Sequence, residues 1–372
     1  MIEIKIGDCR DVLKTLDSES IDCVVTSPPY WGLRDYGTEP LIWDASEDCE
    51  HEWGLTAGTK KFDKQRDTAS DGTFADTRRT QEYKGQYSEL DFGDFCSKCG
   101  AWKGQLGLEP TPELYIKHLC DIFNEIKRVL KRTGTCWVVL GDTYAGGGKG
   151  IGSDHGKAVF DDISVGPKVS ADVPSKSLVQ IPSRFSIEMV NRGWILRNEI
   201  IWHKPNCMPD STKDRFTVDF EKIFFFVKNQ KYWFQQQFDE AVSNWTEAGG
   251  SLLNKTGWCT KAGRNDDSRK SGTKADPSKR NKRTVWTIPT QPYPEAHFAV
   301  FPTSLIETPI KAGCPKNGWV LDPFGGSGTV GEFCRKNGYN AILIELNPDY
   351  EPLIIDRTMN KIPQLETFVN EM

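Results

Sequence analysis

Val320-Leu321-Asp322-Pro323-Phe324-Gly325-Gly326-Ser327-Gly328-Thr329 reads as an apolar strand ending in a carboxylate, followed by a glycine-rich turn that opens a helix. Glycines let a backbone approach a ligand closely, and such turns lie at the C-terminal edge of a sheet, where α/β folds bind cofactors. The turn lacks a Gly-Lys-Ser/Thr ending, so it is no phosphate-gripping nucleotide loop. Asp322 places negative charge where a cationic ligand is welcome. A predicted helix over residues 329–337 follows, then a strand over 341–344, and then Glu345. A carboxylate there can accept hydrogen bonds from both hydroxyls of a ribose. A tight strand–helix turn without a ligand has the same glycine pattern, so the pattern alone does not decide.

Working outward, apolar runs predict strands over residues 3–6, 21–26, 136–140, 197–202, 223–227 and 319–321. Between them, residues 10–16 and 183–191 read as helices. Residues 112–132 form a longer helix, with Tyr115, Leu119, Ile122, Phe123, Ile126, Val129 and Leu130 at helical spacing. Pro112 suits its first turn and Gly134 its stop. Alternating helices and continuous apolar strands indicate an α/β fold around a mostly parallel sheet. Two polar segments interrupt it, and both read as insertions. The expected Rossmann-like core is residues 1–40, 109–235 and 284–372, with insertions at 41–108 and 236–283.

Thr26-Ser27-Pro28-Pro29-Tyr30 directly follows a buried strand. Two prolines fix the backbone and remove two N–H donors. The turn presents the Ser27 hydroxyl and Pro28 carbonyl as acceptors, with Tyr30 as a ring for stacking. Acceptors of this kind suit an exocyclic amino group, whose lone pair must leave its aromatic ring before it can attack. An isolated Pro-Pro pair more often just closes a core strand.

Ser27-Pro28-Pro29-Tyr30 together with Asp322-Pro323-Phe324-Gly325-Gly326-Ser327-Gly328-Thr329 resembles the paired signature of amino-group DNA methyltransferases. The tetrapeptide precedes the cofactor turn, as in the circularly permuted beta class. The resemblance covers about two thirds of the chain and excludes both insertions. It implies S-adenosylmethionine as cofactor, held by Asp322, Pro323, Phe324, Gly326, Gly328, Thr329 and Glu345, with Thr26 adjoining and Asp8 near the adenine. It implies a flipped base in double-stranded DNA as substrate, with Ser27, Pro28, Pro29 and Tyr30 catalytic. Residues 197–206 resemble the segment lining the base pocket, which makes Trp202 a candidate wall. Residues 297–302 resemble the segment over the methionine end of the cofactor. There Phe301 stands where many relatives have lysine. Serine in the first place of the tetrapeptide points to cytosine N4, with adenine N6 as the alternative. RNA, a protein amide and a non-enzymatic DNA-binding role are further rivals. Whether a cognate restriction endonuclease accompanies the chain is left open.

Cys49-Glu50-His51 and Cys96-Ser97-Lys98-Cys99 carry four metal-type ligands within the first insertion. The C-x-x-C spacing suits a knuckle, and a thiolate and imidazole complete a tetrahedral structural zinc site with no place for water. Residues 255–283 hold ten Lys or Arg and three Asp, a basic patch in a chain of net charge −5. They are expected to recognise DNA, although a solvated loop has a similar composition. The remaining cysteines sit in apolar runs and read as buried hydrophobes. The opening residues lack an apolar signal-peptide core, and no stretch is apolar enough to span a bilayer, so a cytoplasmic setting is expected.

Overall fold

Ile21–Thr26 is buried along its whole length. Cys23 and Val25 enter one apolar cluster, while Ile21 and Val24 enter another. A strand covered on both faces needs apolar side chains on both, which is why this run shows no polar alternation. The computed structural model describes residues 1–56, 94–145, 173–240, 279–291 and 301–360. Most of the basic patch (255–278) and the segment 297–300 lie outside them.

The elements run, in chain order, β1 (Ile2–Ile6), α1 (Cys9–Lys14), β2 (Ile21–Thr26), β3 (Leu41–Trp43), β4 (Trp53–Thr56), β5 (Asp94–Cys96), β6 (Trp102–Gly104), α2 (Pro112–Val129), β7 (Leu130–Leu140) and α3 (Ile181–Asn191). Then follow β8 (Ile195–His203), β9 (Phe220–Val227), β10 (Phe238–Glu240), β11 (Lys279–Asn281), β12 (Val285–Thr287), α4 (Thr303–Gly313), β13 (Trp319–Asp322), α5 (Thr329–Asn337), β14 (Asn340–Glu345) and α6 (Glu351–Ile355). Eight strands form one sheet in the order β1-β14-β13-β2-β7-β9-β8-β12. Its pairs are parallel except the two made by β9. The expected α/β class with a mostly parallel sheet is therefore found.

The sheet is the middle of three layers. On β9, Phe224 and Phe226 face the cluster that includes α2 and α3, while Ile223, Phe225 and Val227 face the cluster of α4 and α5. Full burial of each such side chain contributes about 1.5–3 kcal/mol. Thr111 caps α2 by accepting from the Leu114 amide at 3.2 Å.

Two sequence expectations need correction. The long helix ends at Val129 rather than near Arg132, and Gly134 does not stop it. Leu130 is already extended and buried, and it pairs with Ile21 before a register shift that passes Lys131–Gly134. Lys131 pulls the chain into the sheet by binding the Asp22 carboxylate at 2.8 Å. The first insertion, read from its polar composition as a loop insertion, carries a four-stranded antiparallel sheet in the order β3-β6-β5-β4. Strands of three and four residues are too short for a readable alternation. In the second insertion, β10 and β11 pair antiparallel.

Candidate active site

Parallel strands deliver their C-terminal ends to one edge, and the predicted residues gather there. β13 ends in Asp322, β14 in Glu345 and β2 in Thr26. Thr26 Oγ1 donates to Asp322 Oδ1 at 2.6 Å, and the Phe324 amide donates to the same oxygen at 3.1 Å. These bonds fix the tetrapeptide's strand to the glycine-rich turn. Asp322 is 1% exposed, and burial pushes its pKa up to about 7. Thr26 and the Phe324 amide oppose that rise, while the Glu345 charge adds to it.

The turn is strapped to β14. Gly325 N donates to Ile344 O at 2.7 Å, and Gly326 N to Glu345 Oε2 at 2.8 Å. The other Glu345 oxygen accepts from Asn347 N at 2.9 Å. Burial raises the Glu345 pKa, and these amides counter it. Gly326 and Gly328 have φ of +51° and +81°, values that L side chains disfavour. A Cβ on Gly326 would meet only Phe324 O at 3.9 Å, so the space in front of that glycine is open. Thr329 Oγ1 is buried and has no hydrogen-bond partner among the described residues. An open left-handed glycine, an orphaned hydroxyl and two carboxylates form a donor set that fits a cationic nucleoside ligand. Pro323 is buried and Phe324 half-buried against the core. Ser327 is directed elsewhere, accepting from Arg357 at 2.7 Å.

Asp8 follows β1, whose end abuts Glu345 through the Gly7 N to Glu345 O bond at 2.8 Å. It is already engaged: it caps α1 through the Arg10 amide at 2.9 Å and pairs with the Arg10 guanidinium at 2.6 Å. Phe301 is half-buried against the α4 side of the core. Trp202 is 4% exposed, and its Nε1 donates to Ile288 O at 2.8 Å.

In the tetrapeptide, Pro28 is buried, whereas Ser27, Pro29 and Tyr30 are half-buried. Ser27 Oγ lies 3.3 Å from Tyr30 Oη, long for a hydroxyl pair. Tyr30 Oη donates to Glu221 Oε2 at 2.8 Å, and Glu221 in turn pairs with Lys204. Lys204 Nζ stands 4.3 Å above the Trp202 ring, so Trp202 reaches the tetrapeptide through this pair. Tyr115 Oη donates to Pro29 O at 2.7 Å. A Cβ on Gly141 would lie 2.5 Å from Tyr30 Cε2, so the Tyr30 ring rests directly on that glycine. Burial, then the Glu221 charge, raises the Tyr30 pKa well above its usual range, and the phenol stays neutral.

Sequence reading missed Glu221, Lys204, Tyr115 and Gly141. Gly141-Asp142 after a buried strand was the available signal. Asp142 accepts from the Ile181 amide at 3.0 Å and holds the start of α3. The Glu345 charge also raises the pKa of Tyr36 and Tyr350, although burial is the larger cause.

The ligand atoms of Cys49, His51, Cys96 and Cys99 all lie within 4.8 Å of one another. Cys49 Sγ and Cys96 Sγ are 3.8 Å apart, and Cys99 Sγ is 3.4 Å from His51 Nδ1. A tetrahedron with Zn–S bonds of about 2.3 Å has edges of about 3.8 Å. The turn is a knuckle, closed by Cys96 N to Ala101 O at 2.8 Å and Gly100 N to Cys96 O at 2.9 Å.

A family model described as DNA methylase, covering N6 and N4 enzymes, matches residues 21–356. The Type II methyltransferase M.SmaI of Serratia marcescens is 32% identical over 360 residues, spanning 96% of this chain and 91% of its own. M.Cfr9I of Citrobacter freundii is 32% identical over 351 residues, 94% of this chain and 85% of its own. Among solved structures, the PvuII DNA methyltransferase, titled cytosine-N4-specific, superposes with a TM-score of 0.53 at 17% identity, covering 97% of this chain and 88% of that one. The shared fold, the matched span and the full-length relatives agree, and the chain belongs to the N6/N4 DNA methylase family.

Proposed function

We propose that the chain is a site-specific DNA methyltransferase that modifies the N4 amino group of a flipped cytosine, with S-adenosylmethionine as methyl donor. The observation that carries this reading is the Thr26–Asp322 hydrogen bond, which sets Ser27-Pro28-Pro29-Tyr30 beside the glycine-rich turn. When bound, the cofactor supplies a methyl group activated by a sulfonium. Asp322, Gly326, Gly328, Thr329 and Glu345 would hold it, with Asp8 at the adenine end and Phe301 near the methionine end.

The remaining chemistry belongs to the chain. An amino group on a base is paired and stacked in a duplex, so the base must leave the helix. Ser27 Oγ and the Pro28 carbonyl accept its two N–H bonds and favour the tetrahedral nitrogen needed for attack. Tyr115 steadies the next carbonyl, that of Pro29. Tyr30, resting on Gly141 and tethered to Glu221, offers a fixed ring to the base. Trp202, the candidate wall of the base pocket, also backs the Lys204–Glu221 pair.

Cytosine N4 is preferred over adenine N6 because Ser27 occupies the first place of the tetrapeptide. The Cys49, His51, Cys96 and Cys99 cluster is assigned to a structural Zn²⁺, since the Cys49–Cys96 and Cys99–His51 edges suit a tetrahedron and all four positions are protein ligands. Residues 41–108 are then a zinc-bearing insertion and 236–283 a recognition segment, joined to the core formed by 1–40, 109–235 and 284–372. The DNA partner follows from the family, and a cognate endonuclease fits the Type II relatives. Among the described residues no helix is long and apolar enough to cross a membrane. Transfer of label from S-adenosylmethionine to duplex DNA, and not to RNA or protein, tests the reading.

A further inference from the structure

The first insertion and the tetrapeptide meet through a polar chain, buried at Glu109 and His118 and exposed at Asp44, that the reaction does not use. Glu109 and His118 are each 1% exposed. Glu109 Oε1 lies 3.1 Å from His118 Nδ1, and His118 Nε2 lies 3.2 Å from Asp44 Oδ2. His118 stands on α2 of the core, whereas Asp44 directly follows β3 of the inserted sheet. Two tryptophans of that sheet, Trp43 and Trp102, stack on the His118 ring at 4.6 and 5.5 Å. Trp102 adjoins Ala101, which is bonded to the knuckle residue Cys96.

The other end of the chain touches the catalytic turn. Glu109 Oε2 accepts from Gly107 N at 2.8 Å, and the Glu109 carbonyl accepts from Trp31 Nε1 at 2.9 Å. Gly32 N donates to Gly107 O at 2.8 Å. A Cβ on Gly107 would stand 3.2 Å from Tyr30 O and 3.3 Å from the Pro29 Cβ. Residues 107–109 therefore press on the back of Pro29 and Tyr30.

Burying the Glu109 carboxylate beside an imidazole is costly, and an apolar filling of similar volume is often at least as stable. Asp44, at the exposed end of the chain, also pairs with Lys117. What such a chain adds is directionality, since its hydrogen bonds are satisfied in one geometry only. Burial raises the Glu109 pKa and the His118 side chain opposes it, so the two groups depend on each other. We propose that the inserted sheet is a positioning device for the catalytic turn, acting through Asp44, His118 and Glu109. The proposal rests on reading Ser27-Pro28-Pro29-Tyr30 as that turn. The three residues act as positioning residues: through 107–109 they set the height and tilt of Pro29 and Tyr30.

Asp44→Gly is the first test, because Asp44 has φ +58°, a conformation that glycine adopts without strain. The variant is compared with wild type on duplex DNA, with 2-aminopurine at the target base as a flipping readout. The expected result is a kcat lower by about tenfold or more and reduced 2-aminopurine emission, with KM for DNA and affinity for S-adenosylmethionine within about twofold. Asp44→Asn keeps an acceptor and should restore most of the rate. Glu109→Gln serves as a second variant if Asp44→Gly fails to fold, with the same split expected. Wild-type turnover, or equal losses of kcat and cofactor affinity, would overturn the proposal. An inactive wild type would instead refute the reading of the site.

Discussion

If Asp322 helps to hold the cofactor, as proposed, cofactor binding should depend on pH with a sign opposite to that of the unliganded fold. The Asp322 pKa rises to about 7 because burial disfavours the carboxylate. An acid raised above its unfolded value stabilises the unliganded chain at low pH, and that contribution fades as pH rises towards the folded pKa. A cationic ligand requires the other form. If bound S-adenosylmethionine holds Asp322 ionised, the available fraction grows from about 0.1 at pH 6 to about 0.9 at pH 8, so affinity should tighten about tenfold. Isothermal titration at several pH values, in two buffers of different ionisation enthalpy, reads both the affinity and the proton released. Asp322→Asn should bind more weakly and lose the pH dependence. Thr26→Ala removes the 2.6 Å donor that favours the charged form, so the midpoint should move to higher pH. Affinity that is flat or falls from pH 6 to 8, with no proton release, would refute the reasoning.

Three further outcomes are expected. Gly326→Val places a branched side chain at φ +51° and fills the open approach to the turn, so cofactor affinity measured by calorimetry should fall at least tenfold. Elemental analysis should find about one Zn²⁺ per chain, and Cys96→Ser with Cys99→Ser should release it and melt the insertion before the core. Neutralising Lys279, Arg280, Lys282 and Arg283 should flatten the salt dependence of DNA binding, by about 0.9 in the log–log slope for each phosphate that these cations neutralise in the wild type.

The parts of the site legible in the sequence were those whose chemistry is local. Asp322, its glycines and Glu345 announce themselves because one strand, one turn and the next strand contain them all. Ser27 to Tyr30 follow a strand whose burial is plain from its composition. The knuckle was legible from spacing within Cys96-x-x-Cys99, and the fold then brought Cys49 and His51 to it. Glu221, Lys204 and Tyr115 were not legible, since sheet order rather than chain order brings them to residues 27–30. The inserted sheet escaped for a different reason: its strands are short, and its stability leans on Trp43 and Trp102 packing against His118 of the core. The end of α2 was misplaced because Leu130 suits a helical stripe and a buried strand equally well. Packing into the sheet decided for the strand.

The most direct test of the central claim is nucleoside mass spectrometry of DNA from a methylation-free host that expresses the protein. The account predicts N4-methylcytosine, and a Ser27→Ala variant that binds S-adenosylmethionine normally yet leaves at most a trace of the mark. N6-methyladenine without N4-methylcytosine would contradict the base assignment. Unmodified DNA from a host in which the protein is folded and binds S-adenosylmethionine would contradict the account as a whole.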